Sequence, residues 1–486
     1  MSSYKGRNWI GGRHVSASRL TTSIDPATYQ PIGDYPDDGA KAAAASIVAA
    51  RTAFARSAWR HDAELRARVL FQMADAVERN LDRLISVLSL ENGKIRGEAS
   101  FEVAAVPGKL RYWASMALTD SGRAITPRPG SLSVILRQPM GVAGVIVPWN
   151  SPVILAARSF APALAAGCTV VMKMPGQTAQ TASVLAEVLA EAGDLPAGVM
   201  NMFVESGAEG SALLVESPDV PTISFTGSTR TGAAIGAVGA QRMKRMGLEL
   251  GGKAPMIVFD DADVEPMLPV LEKALTIFAG QFCMTGSRLL VQDSLYEVVR
   301  DRLAERLRKV RVGPASDPDS DMGPLIDRQN VERVDGVVRA ALAAGAGAGA
   351  VVRGGPIIEG PLASGAFFRP AMLEVADNSL AIVQQETFGP VITVQRFADE
   401  AEAIALANDS IFGLSASVWT RDLDRALRVA QALEAGSVFV NDWAKIFDGA
   451  EEGGFKQSGL GRLNGHAAIE DFIEYKHIAL KPGVAS

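Results

Sequence analysis

From residue 141 onward, short, continuous, β-branched apolar runs alternate with helical stretches. GVAGVIVPWN (141–150), CTVVMKMPG (168–176), GVMNMFV (198–204) and VPTISFTGS (220–228) are strand-like, and TAQTASVLAEVLAEAG and GSALLVES lie between them with helical spacing. Strands apolar on both faces, separated by helices, predict a parallel sheet covered on both sides. A second series follows from about 251, with strand candidates APMIVF, RLLVQ, ITVQRF, SASVWT and GSVFVN. Its helical candidates are VEPMLPVLEKALTIFAG, SLYEVVRDRLAERLRKV, NVERVDGVVRAALAAG and DLDRALRVAQALEAG. The boundary between the two series falls near the Gly-Gly of LELGGKAP. The fold class is therefore α/β, with two open parallel sheets in succession.

The flanks read differently. Residues 1–36 hold turn formers and short strand-like pieces, RNWIGG and YQPIGDYP. AKAAAASIVAARTAFARSAW and AELRARVLFQMADAVERNLDRLISVLSLENG then have helical periodicity, the second ending at an Asn92-Gly93 cap. The tail FIEYKHIALKP alternates like a strand with no obvious partner in its own domain, which predicts pairing with another subunit. GAGAGA at 345–350 is the one low-complexity patch, expected to end a surface helix and turn into AVVRGG.

Composition excludes several functions. With 48 basic and 54 acidic residues the net charge is −6, so nothing favours nucleic acid. An apolar content of 48% rules out disorder as the dominant state. Two cysteines, Cys168 and Cys283, cannot build a disulfide scaffold or a four-cysteine zinc site, and the histidines have no metal-helix spacing, so no metal is expected. No apolar run reaches the ~20 residues of a membrane span, and the amino terminus has no signal-peptide core, so a cytoplasmic protein without a membrane partner is expected.

Four places can carry chemistry, each with a plainer reading beside it. Cys283, in GQFCMTGSR, is bracketed by Gly280 and Gly286, which leave room beside the sulfur; the alternative is an inert buried thiol. Cys168 sits in an apolar strand and reads as core. Glu249, between Leu248 and Leu250, is a candidate general base if buried, or an exposed strand-end glutamate. Asn150 follows a buried strand, where α/β proteins place ligands, and its amide can donate to an oxyanion; the alternative is an Asx-turn before Pro152. FTGSTRTG (225–232) joins a strand to a small-residue helix whose first amides suit phosphate. Its spacing matches neither a standard dinucleotide fingerprint nor a P-loop.

VPWN, FTGSTRTG, LELGGKAP, GQFCMTGSR, QQETFGPV and GGFKQSGLGR stand in the order and approximate spacing of the aldehyde dehydrogenase superfamily, which the chain resembles from about residue 5 to 482. The resemblance implies oxidation of an aldehyde to the acid with NAD or NADP. Cys283 is then the nucleophile, passing through a thiohemiacetal and a thioester. Asn150 and the Cys283 N–H hold the oxyanion, and Glu249 activates the hydrolytic water. Presence of Glu249 favours the hydrolytic branch over the CoA-acylating one. For the cofactor, Lys173 and Gly176 match the ribose end, Gly207 the adenine side, and Gly227 and Ser228 the pyrophosphate turn. Ile146, Trp149 and Leu250 match pocket-lining positions, and Glu386 and Phe388 the nicotinamide riboside.

Departures from the family pattern concern cofactor and substrate. Gly176 replaces the glutamate that grips the adenosine ribose, which removes a barrier to a 2′-phosphate, and Arg230 adds a positive partner for one; NAD and NADP stand as equal expectations. Ser151 and Arg158 replace tunnel aromatics, and Glu451-Glu452 replaces Pro-Phe. With Phe282, Trp443 and Ile446 as further walls, the tunnel suits a polar, semialdehyde or oxygenated aromatic substrate. Arg158 meets either that substrate or Glu452. The alternatives are an amino- or betaine-type aldehyde recognised by Trp443 and Glu452, and a silent binding protein on the same fold.

The resemblance implies a doubly wound NAD(P)-binding domain (1–117 and 138–250), an α/β catalytic domain (251–447) and oligomerisation segments (118–137 and 466–486). The last would form a β flap joining a hairpin to the tail. Partners are then a small-molecule aldehyde and further copies of the chain, as a homodimer or homotetramer.

Overall fold

The computed structural model describes residues 4–344 and 349–481. Its first sheet has eight strands, of which five parallel ones form the centre. Val142–Ile146 lies in the middle. Thr169–Pro175 and Met200–Glu205 are laid on one side, Thr222–Thr226 and Arg245–Glu249 on the other. The chain thus reverses its direction of winding between Val142–Ile146 and Thr222–Thr226, and the crevice beyond their carboxyl ends is where such sheets bind ligands. Every residue of those two strands is buried, which accounts for their unbroken apolar texture.

The second sheet has seven strands in the order Ala350–Val352, Ala371–Glu374, Val391–Phe397, Arg288–Gln292, Pro255–Val258, Ser415–Trp419 and Ser437–Val440. All pair in parallel except the antiparallel edge strand Ala350–Val352. A third, antiparallel sheet joins Ile473–Leu480 to Leu132–Pro139 over eight residue pairs, with Arg123–Ile125 beyond. The tail strand pairs along one side with a strand of its own chain that the local pattern does not reveal, because it lies some 330–350 residues upstream; the tail's other side is the edge of this sheet. Among the described residues no helix is long and apolar enough to cross a membrane.

The helix Pro152–Ala166 starts a few residues beyond the carboxyl end of Val142–Ile146. Proline at its first position costs no hydrogen bond, and Gly167 closes it at φ 97°, a left-handed conformation that favours glycine. All its residues but Ile154 are buried, because it is packed between the sheet and the helices Ala63–Arg79 and Val106–Thr119.

Two helical expectations need correction. The stretch 63–93 is two helices, Ala63–Arg79 and Leu81–Asn92, broken at Asn80, whose side-chain amide donates to the Ala76 carbonyl. The expected cap is present, with Gly93 at φ 82°. The stretch 264–280 is helical only to Thr276. Phe278, Ala279 and Gly280 then take φ values of 51°, 55° and 70°, a left-handed turn that redirects the chain toward Cys283. The helices Arg96–Ala104 and Glu400–Asn408 and the strand Ala371–Glu374 have no counterpart in the sequence reading. Of the GAGAGA patch, 345–348 lie outside the described residues.

Candidate active site

The segment from the left-handed turn to the strand Arg288–Gln292 carries Cys283 against the start of the helix Pro152–Ala166. The Asn150 amide donates to the Gln281 carbonyl at 3.1 Å. This bond fixes the amide without using its second N–H. The Asx-turn alternative is not what forms. The Cys283 backbone N–H donates to no other described group. Asn150 and Cys283 therefore each keep an N–H without a partner among the described residues.

Gly280 makes the approach possible. A Cβ there would lie 2.3 Å from the Gly389 carbonyl carbon, so the loop passes directly over the backbone that follows Phe388. Behind the loop, Glu98 accepts from the Phe278 N–H and from Lys273, and Glu102 accepts from the Val153 N–H and pairs with the buried Lys94. The Lys94 ammonium lies 3.7 Å from the Phe278 ring centroid and donates to Ser151 Oγ. Nothing in the apolar pattern singles out Lys94. Glu98 and Glu102 leave a trace in the sequence: they lie four apart on the same face as Ala99 and Val103, and carboxylates at core positions need partners.

Glu249 ends the strand Arg245–Glu249 and is 3% exposed, so the exposed alternative does not hold. Its Oε1 has no partner among the described residues. Burial pushes its pKa up to about 8; Glu452 adds to the rise, and Arg158 and Arg462 oppose it. Burial also pushes the Cys283 thiol well above the ordinary range, with Glu249 adding and Arg158 opposing. Cys168 is core, its thiol donating to the Phe472 carbonyl.

Cys283 opens onto a cavity of about 550 Å³. Asn150, Ser151, Arg158, Phe282, Trp443 and Ile446 all line it; Glu452 does not. Glu452 Oε1 accepts from Arg158 Nη1 at 2.8 Å, with both side chains 5% exposed, and its Oε2 accepts from Asn464. Arg158 and Glu452 thus meet each other. Glu451 lies away from the cavity, accepting from the Ala467 N–H. Trp443 donates to the Met284 carbonyl and meets the Phe282 ring edge-on. Sequence reasoning missed Lys109, which also lines the cavity and pairs with Asp448 and Asn464.

A second group of residues gathers at the sheet's winding reversal. Ser228 caps the helix Thr229–Ala240, accepting from the Thr231 N–H. Lys173 is pushed down in pKa by burial against the pull of Glu205, and its ammonium makes no hydrogen bond among the described residues. Trp149 and Phe388 pack edge-on at 5.5 Å. Glu386 accepts from the Gly252 N–H; burial raises its pKa to about 7 against the pull of Lys253 and Arg333. Leu250 is buried, as is Ile146. A Cβ on Gly207 would meet nothing within 4 Å, whereas one on Gly227 would meet the Phe225 ring. At Gly176 a Cβ would lie 2.5 Å from the Tyr35 hydroxyl, so a side chain there would require Tyr35 to shift; a cleft of about 260 Å³ opens beside it. Arg230 is exposed. A half-buried ammonium with no hydrogen bond, a helix start and a carboxylate with capacity to accept more fit a dinucleotide with its phosphates and ribose hydroxyls.

A cysteine and unpaired N–H donors that line a ligand cavity, with a buried carboxylate whose pKa is raised, are the parts an enzyme with a covalent thiol mechanism needs. The chain belongs to the aldehyde dehydrogenase family, whose model matches residues 14–478. It is 37% identical over 475 residues to betaine aldehyde dehydrogenase of Bacillus subtilis, covering 97% of this chain and 96% of the relative. It is also 37% identical over 482 residues to phenylacetaldehyde dehydrogenase of Pseudomonas fluorescens, covering 97% and 95%. The crystal structure of Staphylococcus aureus betaine aldehyde dehydrogenase in complex with NAD+ superposes with a TM-score of 0.95 at 35% identity, covering 99% of this chain and 96% of that one.

Proposed function

We propose that this protein oxidises an aldehyde to the carboxylic acid with NAD+ or NADP+, with Cys283 as nucleophile. The observation that carries the reading is the pair of free N–H donors on Asn150 and Cys283, two residues that line one cavity with the cysteine among its walls. Such donors hold the negative charge that develops on a carbonyl oxygen under attack. The Cys283 Sγ–carbon bond forms as the thiol gives up its proton to solvent water and the π-electron pair of the carbonyl moves to its oxygen, which becomes the oxyanion.

When bound, the dinucleotide supplies a two-electron hydride acceptor. Ser228, Lys173, Glu386 and Phe388 would hold it, with Trp149, Ile146, Leu250, Gly176, Gly207 and Gly227 shaping the space around it. Loss of hydride from the thiohemiacetal leaves a thioester on Cys283. Glu249 then takes a proton from water. The resulting hydroxide adds to the thioester, and the carbon–sulfur bond breaks to give the acid and the thiolate. A carboxylate with a pKa of about 8 suits that role near neutral pH better than an ordinary glutamate.

The same reading assigns cofactor binding to 1–117 and 138–250, the thiol chemistry to 251–447, and self-association to 118–137 and 466–486, in a cytoplasmic homodimer or homotetramer. Exposed Tyr475, Ile478 and Leu480 on the tail strand support such an interface.

The test is the initial rate of nicotinamide reduction, crossing NAD+ and NADP+ with aldehydes bearing a ring, a carboxylate, a cationic head or a plain alkyl chain. Turnover by the wild type and none by Cys283→Ala supports the reading. Equal rates from both, or none from the wild type with either cofactor, would overturn it.

A further inference from the structure

The Bacillus subtilis and Pseudomonas fluorescens relatives share equal identity with this chain and carry different named substrates, so overall likeness does not select one. The cavity itself is more specific. Ser151, Leu155 and Arg158 fall at helical spacing on one face of the helix Pro152–Ala166, and all three line the cavity. An arginine on a helix leans back toward the amino end, here toward Asn150. Its charge acts on both Cys283 and Glu249.

Arg158 engages Glu452 through Nη1 alone. Its Nε and Nη2 are buried with no partner, and no other cavity-lining residue among those described has a buried polar atom left unpaired. Nε–H and the adjacent Nη2–H are the two parallel donors of one guanidinium edge. A whole two-donor edge is thus left without an acceptor in a space where an unsatisfied donor is costly.

The charges around the cavity are otherwise matched: Glu102 with Lys94, Asp448 with Lys109, Lys273 with Glu98, and Asp442 with Lys445. A substrate carboxylate on the free edge would be a second anion on a guanidinium already neutralised by Glu452. A substrate cation would meet a donor edge, while the lining carboxylates Glu102, Asp442 and Asp448 are each already paired. A neutral oxygen leaves neither imbalance. The remaining walls include the rings of Phe101, Phe278, Phe282, Trp443 and Phe447, which suit an aromatic skeleton.

We propose that the Nε–Nη2 edge of Arg158 is the specificity-determining contact of this pocket, and that it receives the neutral hydroxyl or alkoxyl oxygen of a ring-oxygenated aromatic aldehyde. This rests on the reading of the cavity as the aldehyde site. Glu452 acts through Arg158 as a positioning residue: it holds the guanidinium by the remaining nitrogen, Nη1.

Binding to the Cys283→Ala protein, measured by calorimetry, separates this contact from the chemistry. The panel is benzaldehyde, ring-hydroxylated and ring-methoxylated benzaldehydes, formylbenzoate and betaine aldehyde. The best oxygenated ring is expected to bind ~10-fold or more tightly than benzaldehyde, since a donor site left unpaired rejects the analogue lacking the acceptor. Adding Arg158→Lys, which keeps the charge beside Glu452 but lacks the edge, is expected to bring that ratio to within about 3-fold. Adding Arg158→Met with Glu452→Gln, which removes both charges together, is expected to do the same, with a thermal melt confirming the fold. The proposal is overturned if the ratio is near one with Arg158 present, if it survives both replacements, or if formylbenzoate or betaine aldehyde binds best. Absence of turnover by the wild type is read in a different assay and would overturn the proposed function while leaving this binding ratio measurable.

Discussion

At the residue scale, function turns on groups whose environment opposes their charge. Glu249 is held neutral below a pH of about 8 by burial; on the proposed mechanism, water activation strengthens as pH rises through that value. The expected result is a kcat that climbs with pH up to about 8 in the wild type and loses that limb in Glu249→Gln, read from steady-state rates across the range. The candidates themselves were legible: a glutamate between two leucines and a cysteine between two glycines are unusual enough to mark. Their surroundings were not. Lys94, Lys109 and Asn464 reach the site through pairings 8, 339 and 12 residues away in sequence, and no local pattern encodes them.

At the scale of elements, the left-handed turn and one ion pair place the chemistry. In Gly280→Ala the new methyl meets the Gly389 backbone at 2.3 Å in a conformation that already disfavours a side chain. The loop must shift, and a displacement of about 1 Å costs roughly 100-fold in rate. A loss of that order in kcat/KM, with little change in the far-ultraviolet circular dichroism, is the expected outcome. Glu452→Ala strands the Arg158 guanidinium in a buried site and is expected to cost about 3–5 kcal/mol in denaturant unfolding. The double replacement Arg158→Met/Glu452→Leu removes both charges together and is expected to be near neutral or stabilising. The parallel strands were readable because burial on both faces leaves an unbroken apolar run. The break at Asn80 and the end of the helix at Thr276 were hidden, since the apolar period continues across both.

At the scale of the whole molecule, raised carboxylates set how stability responds to acidity. Glu91, Glu386 and Asp471 are each pushed up to about 7 by burial, and Glu249 to about 8. A carboxyl whose pKa is higher in the folded state binds more protons there than in the unfolded chain. Its stabilising effect is complete below the ordinary carboxyl range and is lost as pH rises through the folded value. Tm measured without cofactor is therefore expected to fall between about pH 5 and pH 7, and Glu249→Gln to flatten part of that slope. The molecule gives up some stability near neutral pH to keep proton-accepting groups away from water.

In the proposed mechanism Cys283 carries the acyl group and Glu249 releases it, two halves of one cycle that a single experiment separates. It is rapid mixing of the Glu249→Gln protein with cofactor and an aromatic aldehyde, followed by nicotinamide absorbance. The expected result is a burst of reduction of about one equivalent per Cys283, then a rate reduced ~100-fold or more, and no burst in Cys283→Ala. Continued turnover at the wild-type rate in Glu249→Gln, or a burst of equal size in Cys283→Ala, would contradict these roles.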